Sequence, residues 1–252
     1  GKAYGEGRIK RVCIQALNYP EVFRDIASIA TGIRLTSNIP ISVSCQPLSE
    51  KEMVHLRKIG VNRVSIALDA STEKLFDEVK GASSGGPYTW KGHMEALRKA
   101  VKVFGKGSVT THLIVGLGES EEEMVQTIQM CHDIGVYPAL FAFTPIPGTR
   151  LENNPRPSID NYRRIQVAQY LITHGIAQYE DMLFKDGRLL DFGVPEKLLR
   201  RIIETGEPFM TTGCPGCNRP YYNERPSGPL YNYPRRPRFE EICEIRRQLN
   251  LS

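Results

Sequence analysis

Apolar residues in the first two thirds of the chain fall into short β-rich runs separated by stretches of helical spacing. Residues 9–15, 39–44, 63–68, 109–115 and 139–143 read as strands. Helices are expected over 21–30, 49–58, 90–104, 120–134 and 159–173. Ser49 followed three residues later by Glu52 is a capping-box pattern. Strands alternating with helices imply right-handed βαβ units and a parallel sheet. Gly60, Gly135 and Gly175 each follow a predicted helix, where a left-handed C-cap precedes the next strand. The fold class is α/β, as a barrel or a doubly wound sheet.

Beyond Gly175 the pattern changes. Residues 185–188 read as a tight turn between two strands, and 195–204 as a helix with Pro195 at its start. Residues 208–237 are rich in Pro, Gly, Tyr and Arg, and an amphipathic helix is expected over 239–249. Disordered segments are usually poor in aromatics, so the tyrosines mark this stretch as an ordered extension. The expected division is a core over 1–206 and an extension over 207–252.

The 252 residues are 40% hydrophobic and 24% charged, which suits one barrel of about 250 residues but not two large domains. The net charge is +5. Its basic residues are scattered except near Arg235, Arg236 and Arg238, so the footprint of a nucleic-acid binder is missing. No apolar run approaches the roughly 20 residues of a membrane helix. Residues 1–8 lack the apolar segment of a signal peptide. A cytoplasmic protein is expected, in which six cysteines serve as thiols or metal ligands rather than as a disulfide framework.

The sharpest local signal is Cys214-Pro-Gly-Cys217. Two thiols at this spacing grip one metal or cluster from a single turn, with further ligands supplied from elsewhere. A redox dithiol is the rival reading. Leu113-Ile-Val-Gly-Leu-Gly-Glu119 joins the fourth predicted strand to its helix, where glycines let backbone approach a ligand. Phe143-Thr-Pro-Ile-Pro-Gly-Thr149 forms a stiff loop after the fifth. The plain alternative for both is an ordinary loop.

Taken in order, Arg11-Val-Cys-Ile-Gln15, Val64-Ser-Ile-Ala-Leu-Asp69, Tyr88-Thr-Trp-Lys-Gly-His93, Ile114-Val-Gly-Leu-Gly-Glu119 and Pro145-Ile-Pro-Gly-Thr149 resemble the core of the radical S-adenosylmethionine (SAM) superfamily, of the biotin synthase and lipoyl synthase type. The resemblance covers roughly residues 8–175. It implies a partial or complete (β/α) TIM-type barrel with SAM and a 4Fe-4S cluster as cofactors. It also implies that Ser65 and Asp69 meet the ribose and methionine parts of SAM, and that Gly116, Gly118, Glu119 and Pro145 form the adenine-binding backbone. His93 stands where the family usually has an arginine that reaches the SAM carboxylate.

The cluster motif CxxxCxxC is absent from the sequence, so a segment carrying it and the first strand is expected to precede Gly1. Cys13 matches a biotin synthase position that ligates a sacrificial cluster, whereas the other ligand positions fall near Ser42 and Thr110. The CPGC stretch with Gly228-Pro-Leu-Tyr-Asn-Tyr-Pro234 resembles the tail of the two-protein lipoyl synthases. That likeness implies an auxiliary iron–sulfur cluster assembled from Cys13, Cys45, Cys214 and Cys217. It further implies an octanoylated lipoyl carrier domain, a second radical SAM lipoyl synthase subunit and an electron donor such as ferredoxin as partners. Arg219, Arg225 and the three arginines already named are then expected to help dock an acidic carrier. The alternatives are a related enzyme acting on a small cofactor precursor and a non-catalytic barrel subunit that binds zinc.

Overall fold

The computed structural model describes residues 1–217 and 228–250. Arg219, Arg225 and the tyrosine pair after the CPGC turn lie outside the described residues. A short helix α1 (Lys2–Gly5) leads into β1 (Val12–Gln15), α2 (Val22–Thr36), β2 (Ile41–Cys45), α3 (Glu50–Lys58) and β3 (Val61–Ile66). Then come α4 (Glu73–Val79), α5 (Trp90–Phe104), β4 (Val109–Val115), α6 (Glu121–Asp133), β5 (Val136–Ala142) and α7 (Ile159–Thr173). All five strands are parallel, and their spatial order is their chain order. A doubly wound sheet reverses its strand order at a switch point; a barrel does not. The fold is therefore a partial barrel.

Helix starts follow the local sequence. Ser49 accepts from the Glu52 N–H while the Glu52 carboxylate accepts from the Ser49 N–H, and Ser120 and Glu123 repeat the exchange at α6. The strand expected over 63–68 runs from Val61 to Ile66, and α4 fills residues that carry no strong periodic signal. The predicted turn at 185–188 joins β6 (Leu183–Lys185) to β7 (Arg188–Asp191) as a separate antiparallel pair. Asp186 and Gly187 both have positive φ, which suits the right-handed twist of a two-residue hairpin.

Helix α8 (Glu196–Thr205) and, at the end of the described chain, α9 (Phe239–Gln248) complete the set. Phe209, Tyr231, Tyr233, Ile242 and Ile245 share one hydrophobic core with the barrel strands and helices. The anchor is Arg163 of α7, which is fully buried. Its guanidinium donates to the Tyr231 and Leu230 carbonyls at 2.6 Å each, and to Gln166 and Gln248. Among the described residues no helix is long and apolar enough to cross a membrane.

Candidate functional site

Strands of an all-parallel barrel are covered on both faces and normally read as apolar throughout. Here one face is apolar and the other is not. Ile41, Val43, Val109, Leu113 and Val115 point into the helical layer and are buried. The alternate positions Cys13, Gln15, Ser42, Ser44, Ser65, Thr110 and His112 line a cavity of ≈ 470 Å³ inside the half barrel. Arg8, Lys10 and Arg11 line it from the approach to β1, and among the described residues no aspartate or glutamate does.

The extension completes this cavity. Thr212 accepts a 2.8 Å hydrogen bond from the Leu140 N–H on the outer edge of β5. The chain then crosses to β2, where Cys214 Sγ lies 3.1 Å from Ser42 Oγ. Ser42 is the register partner of Cys13 and accepts from Arg11 at 3.1 Å. Cys214 and Cys217 close a turn, with the Cys217 N–H donating to the Cys214 carbonyl at 2.8 Å, and both line the cavity with Cys13. Three of the four cysteines named from the sequence thus share one cavity.

Cys45 is the exception and corrects the expectation. Period-two alternation puts it on the face of Ile41 and Val43, 6% exposed in the hydrophobic core. Burial, aided by the nearby Glu52 carboxylate, pushes its thiol pKa up to about 12.

The residues expected to meet SAM lie beyond the cavity, at the C-terminal ends of the strands. Asp69 adopts a left-handed backbone (φ 67). It is held there because its N–H donates to the His112 carbonyl at 2.8 Å and its carbonyl accepts from Ile114 at 2.7 Å. Its carboxylate accepts a 2.6 Å bond from Lys80, which also donates to the Ala67 carbonyl. The next loop lies alongside. Glu119 accepts from the Gly116 and Leu117 N–H groups, so those two donors are already used and the loop's carbonyls are what it offers a ligand. Burial raises the Glu119 pKa against the opposing pull of these bonds. Gly116 has φ 101, and a Cβ there would meet Pro157 at 2.8 Å. Phe143 donates to the Val115 carbonyl, which brings half-buried Pro145 to the same rim.

Ser65 and His93 depart from that rim. Ser65 lies on the cavity wall, 3.2 Å from His112 Nε2. His93 is 1% exposed, edge-on to the Phe76 and Tyr88 rings at 4.9 and 5.2 Å, and its buried Nε2 has no hydrogen-bond partner. Burial, then the neighbouring Lys80 charge, holds its pKa down to about 4, so it carries no charge at neutral pH. A neutral imidazole does not replace a guanidinium. Sequence reading missed Lys80, whose position after α4 carries no signal. It also missed His112, although polar residues alternating through a parallel strand were a legible one.

A half barrel with parallel strands in chain order, a Gly-rich loop after β4 and a thiol-lined interior defines a class of barrel enzymes. The family model of the radical SAM superfamily matches residues 2–131, and the chain belongs to that superfamily. The superfamily's cofactors are SAM and a 4Fe-4S cluster; the six cysteines present do not have that cluster's CxxxCxxC spacing.

Two biotin synthases are 30% identical to the chain. The one from Sulfurihydrogenibium sp. matches over 145 residues, 56% of this chain and 41% of its own length; the one from Hydrogenobaculum sp. matches over 138 residues, 53% and 39%. The chain thus spans about two fifths of the length of these two relatives. Among solved structures, methylornithine synthase superposes with a TM-score of 0.54 at 14% identity, over 67% of this chain and 49% of that one. The FeFe-hydrogenase maturase from Carboxydothermus hydrogenoformans gives 0.56 at 18%, over 70% and 42%. At these identities the likeness concerns the fold.

Proposed function

We propose that this chain is one component of a two-protein lipoyl synthase, inserting sulfur into the octanoyl chain of a lipoyl carrier domain. The observation that carries the reading is the thiol set. Cys214, 172 residues from Ser42 in sequence, contacts that hydroxyl directly beside Cys13. The residues present fit an auxiliary iron–sulfur cluster, with Cys13, Cys214 and Cys217 as ligands on a cavity of suitable breadth.

Radical SAM chemistry supplies hydrogen removal from an unactivated carbon, and an auxiliary cluster supplies sulfur. The chain's own residues do the rest. Asp69, held by Lys80, and the carbonyls of 115–119 position SAM at the rim. Arg8, Lys10 and Arg11, which line the cavity beneath, balance the negative charge that thiolates bring. The zinc reading is weaker: one ion needs its ligands within a single sphere of ~2.3 Å bonds, and no three His, Cys, Asp or Glu among the described residues are so gathered.

Of the basic tail, Arg235 is paired with Glu241 at 2.7 Å and Arg236 with Glu207 at 2.6 Å. Each pair is close to net neutral, so attraction of an acidic carrier domain rests on the chain's overall charge of +5 and adds little affinity at physiological salt. The test, run on a polypeptide in which a CxxxCxxC cluster segment precedes this sequence, is turnover of an octanoylated carrier domain and of an octanoyl-peptide, with the second synthase subunit and reduced ferredoxin supplied. Sulfur in the product that is lost in Cys214→Ala supports the reading. No sulfur in either substrate overturns it.

A further inference from the structure

We propose that Cys214 and Cys217 are a redox-active dithiol, which in the metal-free chain exchanges with a low-molecular-weight disulfide and closes an intramolecular bond that shuts the site to iron. The exchange stands apart from the lipoyl reading; only the closing to iron rests on it.

The turn holds the two residues at bridging range. The Cys217 N–H donates to the Cys214 carbonyl at 2.8 Å, which closes a four-residue β-turn. Its central residues are Pro215 and Gly216, and Gly216 has φ 76. Proline followed by a positive-φ glycine is the signature of a type II turn, whose end Cα atoms lie within ~7 Å. A disulfide needs Cα atoms roughly 4.4–6.8 Å apart. The bond therefore asks for side-chain rotation and little backbone movement.

The surroundings set this pair apart from the other thiols. Cys45 and Cys131 are buried, and burial pushes each pKa up to about 12. Cys13 on β1 and Cys243 on α9 each have no second cysteine in their own element. Cys214 and Cys217 are half-buried and line the cavity together with Lys10 and Arg11. A Cβ on Gly216 would lie 3.5 Å from Lys10 Cδ, so the lysine stem runs along the turn. Partly exposed thiols in electropositive surroundings are the ones that react.

One protein thiolate attacks the small disulfide, forms a mixed disulfide and releases one thiolate. The other protein thiolate then attacks the protein sulfur of that mixed disulfide and releases the second. The dithiol gives up two protons and two electrons, and the small disulfide becomes two thiols. The preformed turn makes the second step intramolecular, which favours it. Metals are held by thiolate sulfur, and neither sulfur of the closed pair is a thiolate.

The experiment equilibrates the reduced, metal-free 252-residue chain with glutathione buffers of graded oxidation. Free thiols are then alkylated, and the mass of the peptide holding residues 214–217 is read. That peptide should pass from two alkyl groups to none, reversibly with dithiothreitol, while Cys45 and Cys131 stay reduced. Iron uptake on reconstitution should fall in step. Cys217→Ser should stop at the mixed disulfide, with one glutathione on Cys214. A glutathione on each cysteine of the wild type, a bond from either to Cys13, or two alkylatable thiols throughout overturns the dithiol. Full iron uptake by the oxidised chain overturns the closing of the site. A chain that forms the disulfide but takes up no iron when reduced keeps the dithiol and overturns the auxiliary-cluster reading instead.

Discussion

The rim above the strands and the cavity within them hold their key residues in opposite ways. At the rim, Asp69 is pinned by backbone bonds to the adjacent β4 and by Lys80, eleven residues further on. Glu119 folds back on its own loop, two and three residues away. In the cavity, Cys214 reaches Ser42 only because the extension is first fastened to α7 and β5. The rim is therefore as stable as the half barrel, whereas the thiol site is as stable as the docking of a tail. Local sequence encodes the first; long-range burial assembles the second.

The largest test of this contrast is Arg163→Met. Removing the buried guanidinium is expected to cost about 1–3 kcal/mol for each group it leaves unsatisfied, chiefly the Leu230 carbonyl and the Gln248 side chain, since the Tyr231 carbonyl keeps its bond from Gln166. Chemical unfolding should report the loss. Alkylation of Cys214 and Cys217 in the still-folded fraction should speed up, while SAM affinity at the rim stays close to wild type. Equal weakening of both sites would end the distinction.

His93 gives the next effect, and it bears on the rim's support. Its pKa is near 4 folded against 6.5 for the free side chain. Above pH 6.5 neither state binds the proton and stability is full. As pH falls toward 4, the unfolded chain alone takes it up, and linkage predicts a loss of ~3 kcal/mol. Below 4 both states are protonated and the slope ends. Thermal unfolding of His93→Leu across this range should be flatter than wild type.

Cys13→Ser and Cys45→Ser separate the two faces of the sheet. Leaving a hydroxyl in the apolar layer at Cys45 should cost roughly 1–3 kcal/mol, without changing iron uptake. The substitution at Cys13 should do the reverse, measured by iron content and denaturant midpoint. The smallest effect is expected from Thr212→Val, which removes one hydrogen bond worth about 1 kcal/mol. Exchange of the Leu140 amide with deuterium should accelerate, while Asp69 and Ile114 keep their protection.

Much of the architecture was legible before any coordinates. Capping boxes at Ser49 and Ser120 and the Asp186-Gly187 turn are contacts between near neighbours, so spacing reveals them. The order of motifs carried the superfamily. Cys45 was misjudged because a one-residue uncertainty in strand phase moves a side chain to the opposite face, and Cys13 and Cys45 are near opposite ends of different strands. His93 was read by position alone, which gives no account of the rings that enclose it.

The sequence by itself determined the alternation of strands and helices, the glycines at forced turns and the presence of paired thiols. These are properties of a few adjacent residues, set by sterics and hydrogen-bond reach. Tertiary structure decided which cysteines share a cavity, that His112 looks into it, and that His93 is uncharged. Each of those depends on how much water is removed and on which distant segment removes it. Arg163, which joins α7 to the extension by filling its donors on carbonyls some 67 and 68 residues away, is where the one kind of information passes into the other.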